Sequence, residues 1–149
     1  DDEGQLDWPL LDEPMHAGIH AWVRALNAAY TQEAALHEMD WSGDGFEWID
    51  VHDRDRTTLA WLRWSHGWED CVVVVCNFTP VTWEGYRLAV PFPGRWEVLL
   101  DSGAAAWGGA GALGATGFEA IEGEHMGRPQ YVEMSLPPLT ALVLKRARD

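Results

Sequence analysis

Positive charge is scarce in this sequence. Among its 149 residues ten are basic, nine arginines and Lys145, against 24 acidic ones, a formal net charge of −14. Nucleic acid and anionic lipid are bound by displacing counterions with positive charge, so this balance argues against DNA, RNA or a membrane surface as a partner. Long apolar runs are also absent. The longest, Cys71 to Cys76, falls far short of the roughly 20 residues that span a bilayer. Residues 1–13 contain Asp1, Asp2, Glu3, Asp7, Asp12 and Glu13 and no base, the reverse of a secretory leader, and the missing first Met suggests a processed chain or a fragment. Cysteine is limited to Cys71 and Cys76. Five positions along one strand they stand roughly 16 Å apart, whereas a disulfide tolerates about 7 Å, so free thiols in a reducing compartment are expected.

Apolar residues make up 47% of the chain, which excludes global disorder. A compact chain of this length buries roughly 68–70% of its unfolded surface, enough for one real core. Ten tryptophans are the compositional oddity. An indole ring can stack on a sugar or fill a core, and composition does not choose between them. After an irregular acidic lead, Pro14 suits a first helical turn. Ile19, Trp22, Val23, Leu26 and Tyr30 then recur at helical spacing and define one apolar face. Residues 33–38 suggest a second short helical piece. Beyond Ser42-Gly43-Asp44-Gly45 the chain reads as short strands split by turns: 46–50, 57–65, 71–78, 86–90, 95–100, 131–136 and 139–145. That spacing predicts a mainly β chain built as an antiparallel sandwich. The 71–78 segment is apolar at successive positions, as in a central strand covered on both faces. Gly103–Gly117 holds six Gly and six Ala and no charge. A loop this long is either mobile or packed by its own Trp107 and Leu113.

Several strings resemble functional motifs without the context that would make them work. Gly109-Ala110-Gly111-Ala112-Leu113-Gly114 matches G-x-G-x-x-G, but no helical pattern follows to receive a pyrophosphate, so no dinucleotide is expected. His16 and His20 share a helix face, yet zinc needs a third ligand and an organised surround, so no metal is expected. Asn77-Phe78-Thr79 fits the glycosylation string at the end of an apolar strand, where the match is empty. Ser65-His66 adjacency is not a triad, because a triad is assembled in space. Asp50, Asp53 and Asp55 surround a predicted hairpin tip, where solvated turns explain them. Trp48, Trp61, Trp64 and Trp96 sit on strand positions and are expected to pack within or across strands. Trp8, in the irregular lead, is of the ten the best candidate for a ring that faces sugar, although a buried loop anchor is the default expectation for it.

A set of strings in fixed order carries a resemblance. Asn77-Phe78-Thr79-Pro80-Val81, Glu84-Gly85-Tyr86-Arg87, Val90-Pro91, Pro93-Gly94, Trp107-Gly108-Gly109, Gly127-Arg128-Pro129 and Leu136-Pro137-Pro138-Leu139 follow one another. Upstream stand Leu6-Asp7-Trp8, Leu10-Leu11, His16-Ala17-Gly18, Ala35-Leu36-His37-Glu38 and Gly45-Phe46-Glu47-Trp48-Ile49-Asp50. Together they resemble the C-terminal region of bacterial 1,4-α-glucan (glycogen) branching enzymes of the α-amylase superfamily. Trp83, where a polar or basic residue is usual, and the 101–106 segment depart from that pattern.

The resemblance implies an α-amylase-type C-terminal all-β sandwich over 39–149, preceded over 1–38 by the last loop and helices of a truncated (β/α)8 barrel. Ile19, Trp22, Val23, Leu26 and Tyr30 would then face the missing catalytic barrel. The implied parent is a cytoplasmic glycosyltransferase of glycogen biosynthesis. It cleaves α-1,4-glucan through a covalent glycosyl-enzyme and re-attaches the chain by an α-1,6 bond. Its catalytic carboxylates belong upstream of Asp1, so no catalytic residue, no metal and no cofactor are expected in this chain. Trp8 becomes a possible glucan-contacting residue. A non-catalytic carbohydrate-binding sandwich, or the tail of another α-amylase-superfamily enzyme, are the alternatives. Burial of the tryptophans separates a supporting domain from a binding module.

Overall fold

A computed structural model describes residues 4, 7–51, 53–68 and 70–147. Asp1 to Glu3 and Leu6, which belong to the acidic lead and to the resemblance, lie outside the described residues. The chain opens with a 3-10 turn at Trp8–Asp12, then α1 (Pro14–Gln32) and α2 (Ala34–His37). Nine strands follow: β1 (Phe46–Asp50), β2 (Thr58–Trp64), β3 (Cys71–Asn77), β4 (Trp83–Val90), β5 (Arg95–Asp101), β6 (Gly117–Glu119), β7 (Ile121–His125), β8 (Arg128–Leu136) and β9 (Thr140–Arg146). They form two antiparallel sheets, one of six strands in the order β1-β2-β3-β9-β5-β6 and one of three in the order β4-β8-β7.

The two sheets face each other across one core. In β2 the buried residues alternate, with Thr58, Ala60, Leu62 and Trp64 turned inward. They meet Val73, Val75, Leu142 and Leu144 from their own sheet and Tyr86, Leu88, Val90, Val132, Met134 and Leu136 from the smaller one. Trp96 is the largest wholly buried side chain. Each such aliphatic or aromatic group contributes roughly 1.5–3 kcal/mol when fully covered.

The central strand departs from alternation. All five residues from Cys71 to Val75 are buried, because β3 lies between β2 and β9 and is covered on both faces. Its inner face joins the sandwich core. On its outer face Val72 and Val74 lie where α2 crosses β2 and β3. Asn77 closes the strand. Its buried amide donates to the carbonyls of Val81 and Pro137, both at 2.8 Å, and accepts from the Thr79 amide at 2.9 Å and hydroxyl at 2.8 Å. With these four bonds made, the Asn-Phe-Thr string is a buried structural pin and offers no open amide for glycosylation.

Some boundaries differ from the sequence reading. β4 begins at Trp83, ahead of the expected 86, because a register irregularity between Trp83 and Tyr86 lets the strand start early. β6 and β7 were not expected at all. Their residues, Gly117–Glu119 and Ile121–His125, are half-buried or exposed at sheet edges and carry neither an apolar run nor β-branched enrichment. The Gly103–Gly117 loop is packed. Trp107 donates its indole N–H to the Asp101 carbonyl at 2.7 Å, and Leu113 lies against the core. The strand that follows the G-x-G-x-x-G string is β6, so its amides have no helix N-terminus behind them.

Val74→Asp would place an unpaired carboxylate on β3, and we expect a loss on the order of 3–5 kcal/mol of stability, measured by urea denaturation of the purified chain. Both cysteines are free. Burial pushes the Cys71 thiol up to about 12 and also raises Cys76. A thiol reagent at pH 8 should therefore react slowly with the folded chain and titrate two groups after denaturation without reductant. An intrachain bond found by mass would overturn this.

Candidate functional site

Residues 7–40 present the surface that the sandwich does not use. Pro9 and Pro14 each suit the first turn of a helical element, since neither residue's missing N–H is needed there. Between them the backbone closes with Leu10 N–H to Asp7 at 3.1 Å and Glu13 N–H to Leu10 at 3.0 Å. This turn folds Trp8 back beside the start of α1. Trp8, Leu10, Leu11, His16, Ile19 and His20 line an open cleft of about 380 Å³. The Trp8 ring is 67% exposed.

Two parallel apolar stripes run along α1. Ile19, Val23, Leu26 and Tyr30 form one, and all four are exposed. Gly18, Trp22, Ala25 and Ala29 form the other, one residue earlier at each step, and all four are buried or half-buried. This second stripe docks on the 103–117 loop. The Trp22 and Trp107 ring centroids are 5.3 Å apart. A Cβ on Gly18 would collide with the Trp107 carbonyl, so only glycine lets the helix come this close. The assignment of Trp22 to the barrel-facing stripe is therefore corrected. Its helical spacing fits either face, and the partner ring on the β loop decides which one it joins.

Polar contacts hold the same helix at its other end. The Tyr30 hydroxyl donates to Asp40 Oδ2 at 2.6 Å, and Arg63 on β2 pairs with the other Asp40 oxygen. Arg63 also donates through Nε to the Gly45 carbonyl at 3.2 Å. Lys145 on β9 pairs with Glu33 between the helices. The hydrogen bond from Tyr30, helped by Arg63, holds the Asp40 carboxyl below the ordinary value of 3.8. The same hydrogen bond raises the Tyr30 hydroxyl.

The carboxylates near the hairpin tip serve the turn. Asp53 accepts from the Arg56 amide at 3.0 Å, and Asp50 accepts from the Asp53 amide at 3.2 Å. Ser65 bonds to Asp70 across the β2–β3 turn, which leaves it in a turn and in no triad. His16 and His20 are exposed. Among the described residues no three His, Cys, Asp or Glu side chains gather where an ion could bind, and no helix is long and apolar enough to cross a membrane.

The tryptophans divide. Trp64 and Trp96 are buried, and Trp48 packs edge-on against Phe46 and Trp61. Trp8, Trp41, Trp48 and Trp68 are exposed. Sequence reasoning did not single out Trp41 or Trp68. Each lies in a turn, where neither helical nor strand periodicity says which way a ring faces.

The architecture defines a class, an antiparallel two-sheet domain with a helical lead whose outer face is uncovered. The chain belongs to the family described as Alpha amylase, C-terminal all-beta domain, whose model matches residues 48–147. It is also similar to three curated proteins, each named 1,4-alpha-glucan branching enzyme GlgB. That of Aromatoleum aromaticum is 44% identical over 142 residues, covering 95% of this chain and 22% of the relative. That of Rhodospirillum rubrum is 45% identical over 140 residues, 94% of this chain and 19% of the relative. That of Aquifex aeolicus is 41% identical over 145 residues, 97% and 23%. The chain thus spans about a fifth of the length of the curated relatives it matches.

Because the Asp40 carboxyl is depressed in the folded chain, its contribution to stability is complete above the unfolded value and is lost as pH falls through the folded one. We expect the thermal midpoint to drop on acidification below about pH 4, with Asp40→Asn flattening that limb. An identical acid limb in the variant, followed by circular dichroism, would show that the Tyr30–Asp40–Arg63 link does not hold the helix.

Proposed function

We propose that this chain is the C-terminal part of a 1,4-α-glucan branching enzyme of the α-amylase superfamily. The observation that carries the reading is the uncovered stripe of Ile19, Val23, Leu26 and Tyr30 on a helix whose opposite stripe is docked. Four large side chains in water on one helix face are costly, at roughly 1.5–3 kcal/mol for each one fully uncovered. In this reading residues 1–38 end the catalytic (β/α)8 barrel, the stripe packs on it, and 39–149 form the sandwich that supports it. Active sites in such barrels lie at the C-terminal ends of the strands. A lead that follows the last strand starts from that face, so in this reading Trp8 and its cleft touch an α-glucan chain; the exposed ring supports this. Free thiols fit a cytoplasmic setting.

The reaction is a retaining transfer. One carboxylate attacks the anomeric carbon while a second protonates the leaving oxygen. The glycosyl-enzyme is then opened by a 6-hydroxyl of glucan, which forms the α-1,6 bond. Those two carboxyl groups must stand about 5–5.5 Å apart, and in this reading they belong to the barrel. This chain contributes support for that barrel and one wall of the glucan path.

Two measurements test the reading. The chain incubated alone with amylose should form no α-1,6 linkages by NMR, and new branch points above a heat-killed control would place catalytic carboxylates within it. In the full-length enzyme Trp8→Ala should lower activity on amylose about tenfold, the equivalent of roughly 1.4 kcal/mol of ring contact, with the melting temperature unchanged. Equal loss of activity and stability would assign the ring to packing.

A further inference from the structure

The Trp8 cleft and the contact that seats α1 share one turn of the helix. His16, Ile19 and His20 form the helical wall of the cleft that Trp8 closes. Gly18, between them in the chain, is buried against the Trp107 carbonyl. Neighbouring residues of a helix point in different directions from one rigid backbone, so the seat and the cleft wall cannot move independently. Met15 and Trp22 extend the seat on either side of Gly18. The Met15 sulfur lies 3.8 Å from where a Cβ on Gly108 would stand, and the Trp22 ring lies 5.3 Å from that of Trp107.

Trp107 is in turn fixed to the sandwich. Its indole N–H donates to the carbonyl of Asp101 at 2.7 Å, and Asp101 pairs with Leu142 of β9. The Asp101 carboxylate accepts from the Gly103 amide at 2.8 Å. The Gly103 carbonyl accepts from the Gly111 amide, also at 2.8 Å. A Cβ on Gly109 would strike that same carbonyl, so the loop closes only as tightly as a missing side chain allows. The other anchor of α1 is the hydrogen bond from Tyr30 to Asp40. Tyr30 is roughly 18 Å further along the helix than Gly18, at 1.5 Å per residue, too far to set the height of the cleft end.

We infer that Trp107 is a positioning residue for the glucan substrate: through this ring the sandwich sets the height of α1, and with it where the Trp8 cleft stands. Trp107 acts through Trp8 and not by touching sugar itself. The inference rests on the proposed α-glucan reading and deepens it, because it gives the sandwich a part in substrate handling as well as support. A substrate-contacting group misplaced by about 1 Å can cost a large factor in rate. The Trp107 carbonyl stands well inside the contact distance of a Cβ on Gly18, so loss of this fit shifts the helix on that scale.

The test is a double-mutant cycle in the full-length enzyme acting on amylose, with hydrogen exchange measured on the same proteins. Trp107→Ala should lower kcat/KM about fivefold, with the loss carried by KM. It should speed exchange in peptides from 7–32 while peptides from β3 keep the parent rate. Added to Trp8→Ala, the same change should cost nothing further, because no ring is left to misplace; a residue that only stabilised the fold would multiply the two losses. Trp107→Tyr retains a ring against Trp22 and a donor, and should restore most of the activity. Gly18→Ala should reproduce the Trp107→Ala profile from the helix side, and it decides the matter should Trp107→Ala fail to fold. Multiplied losses, a Trp8→Ala variant with parent activity, or unchanged exchange over 7–32 would overturn the proposal. Each of these leaves the branching-enzyme reading standing, which fails separately if the parent protein forms no α-1,6 linkages.

Discussion

The middle of the larger sheet is built on a strand with no wet side. Side chains alternate across a strand, so a strand at a sandwich surface needs apolar residues at every second position only. From Cys71 to Val75 every position of β3 is buried, and two different layers must therefore form on it. Val73 and Val75 draw the three-stranded sheet onto one face. Val72 and Val74 require a cover on the other, and α2 supplies it. Once α2 is seated there, Asp40 and Glu33 are brought to Arg63 and Lys145, and the end of α1 is tied down through Tyr30.

The remainder of α1 is placed by a contact between two segments far apart in the chain. Gly18 and Trp22 meet Trp107 in the glycine- and alanine-rich loop. That loop is held to the sheet edge by its indole bond to Asp101. Glycine serves here by its lack of a Cβ, which admits a carbonyl to the helix surface. The consequence is directional. With one stripe docked, the adjacent stripe is turned outward, and the 3-10 turn with Trp8 is carried to the same side as Ile19 around one cleft.

Acidic excess in this chain is absorbed by local structure. Asp50 and Asp53 hold a hairpin turn, Asp101 accepts from the Gly103 amide at 2.8 Å, and Glu47 pairs with Arg128 at 2.5 Å. These groups serve turns and strand edges. The chain matches about a fifth of its relatives' length.

Most of the strands were legible from residue order, because periodicity and turn residues act locally. The 71–78 run, the Pro91–Gly94 and Pro137–Pro138 breaks and the helix after Pro14 all state their conformation within a few positions. The ordered strings from Asn77 to Leu139 pointed to the family as well. Edge strands β6 and β7 were not legible, since an exposed edge asks little of its side chains. Trp22 illustrates the sharper limit. Helical spacing placed it on an apolar face but could not say which of two stripes it would join, because that depended on Trp107, 85 positions away. The same holds for Trp41 and Trp68. Local chemistry decides that a turn forms, while exposure of a ring on it is decided by whether a distant segment arrives to cover it.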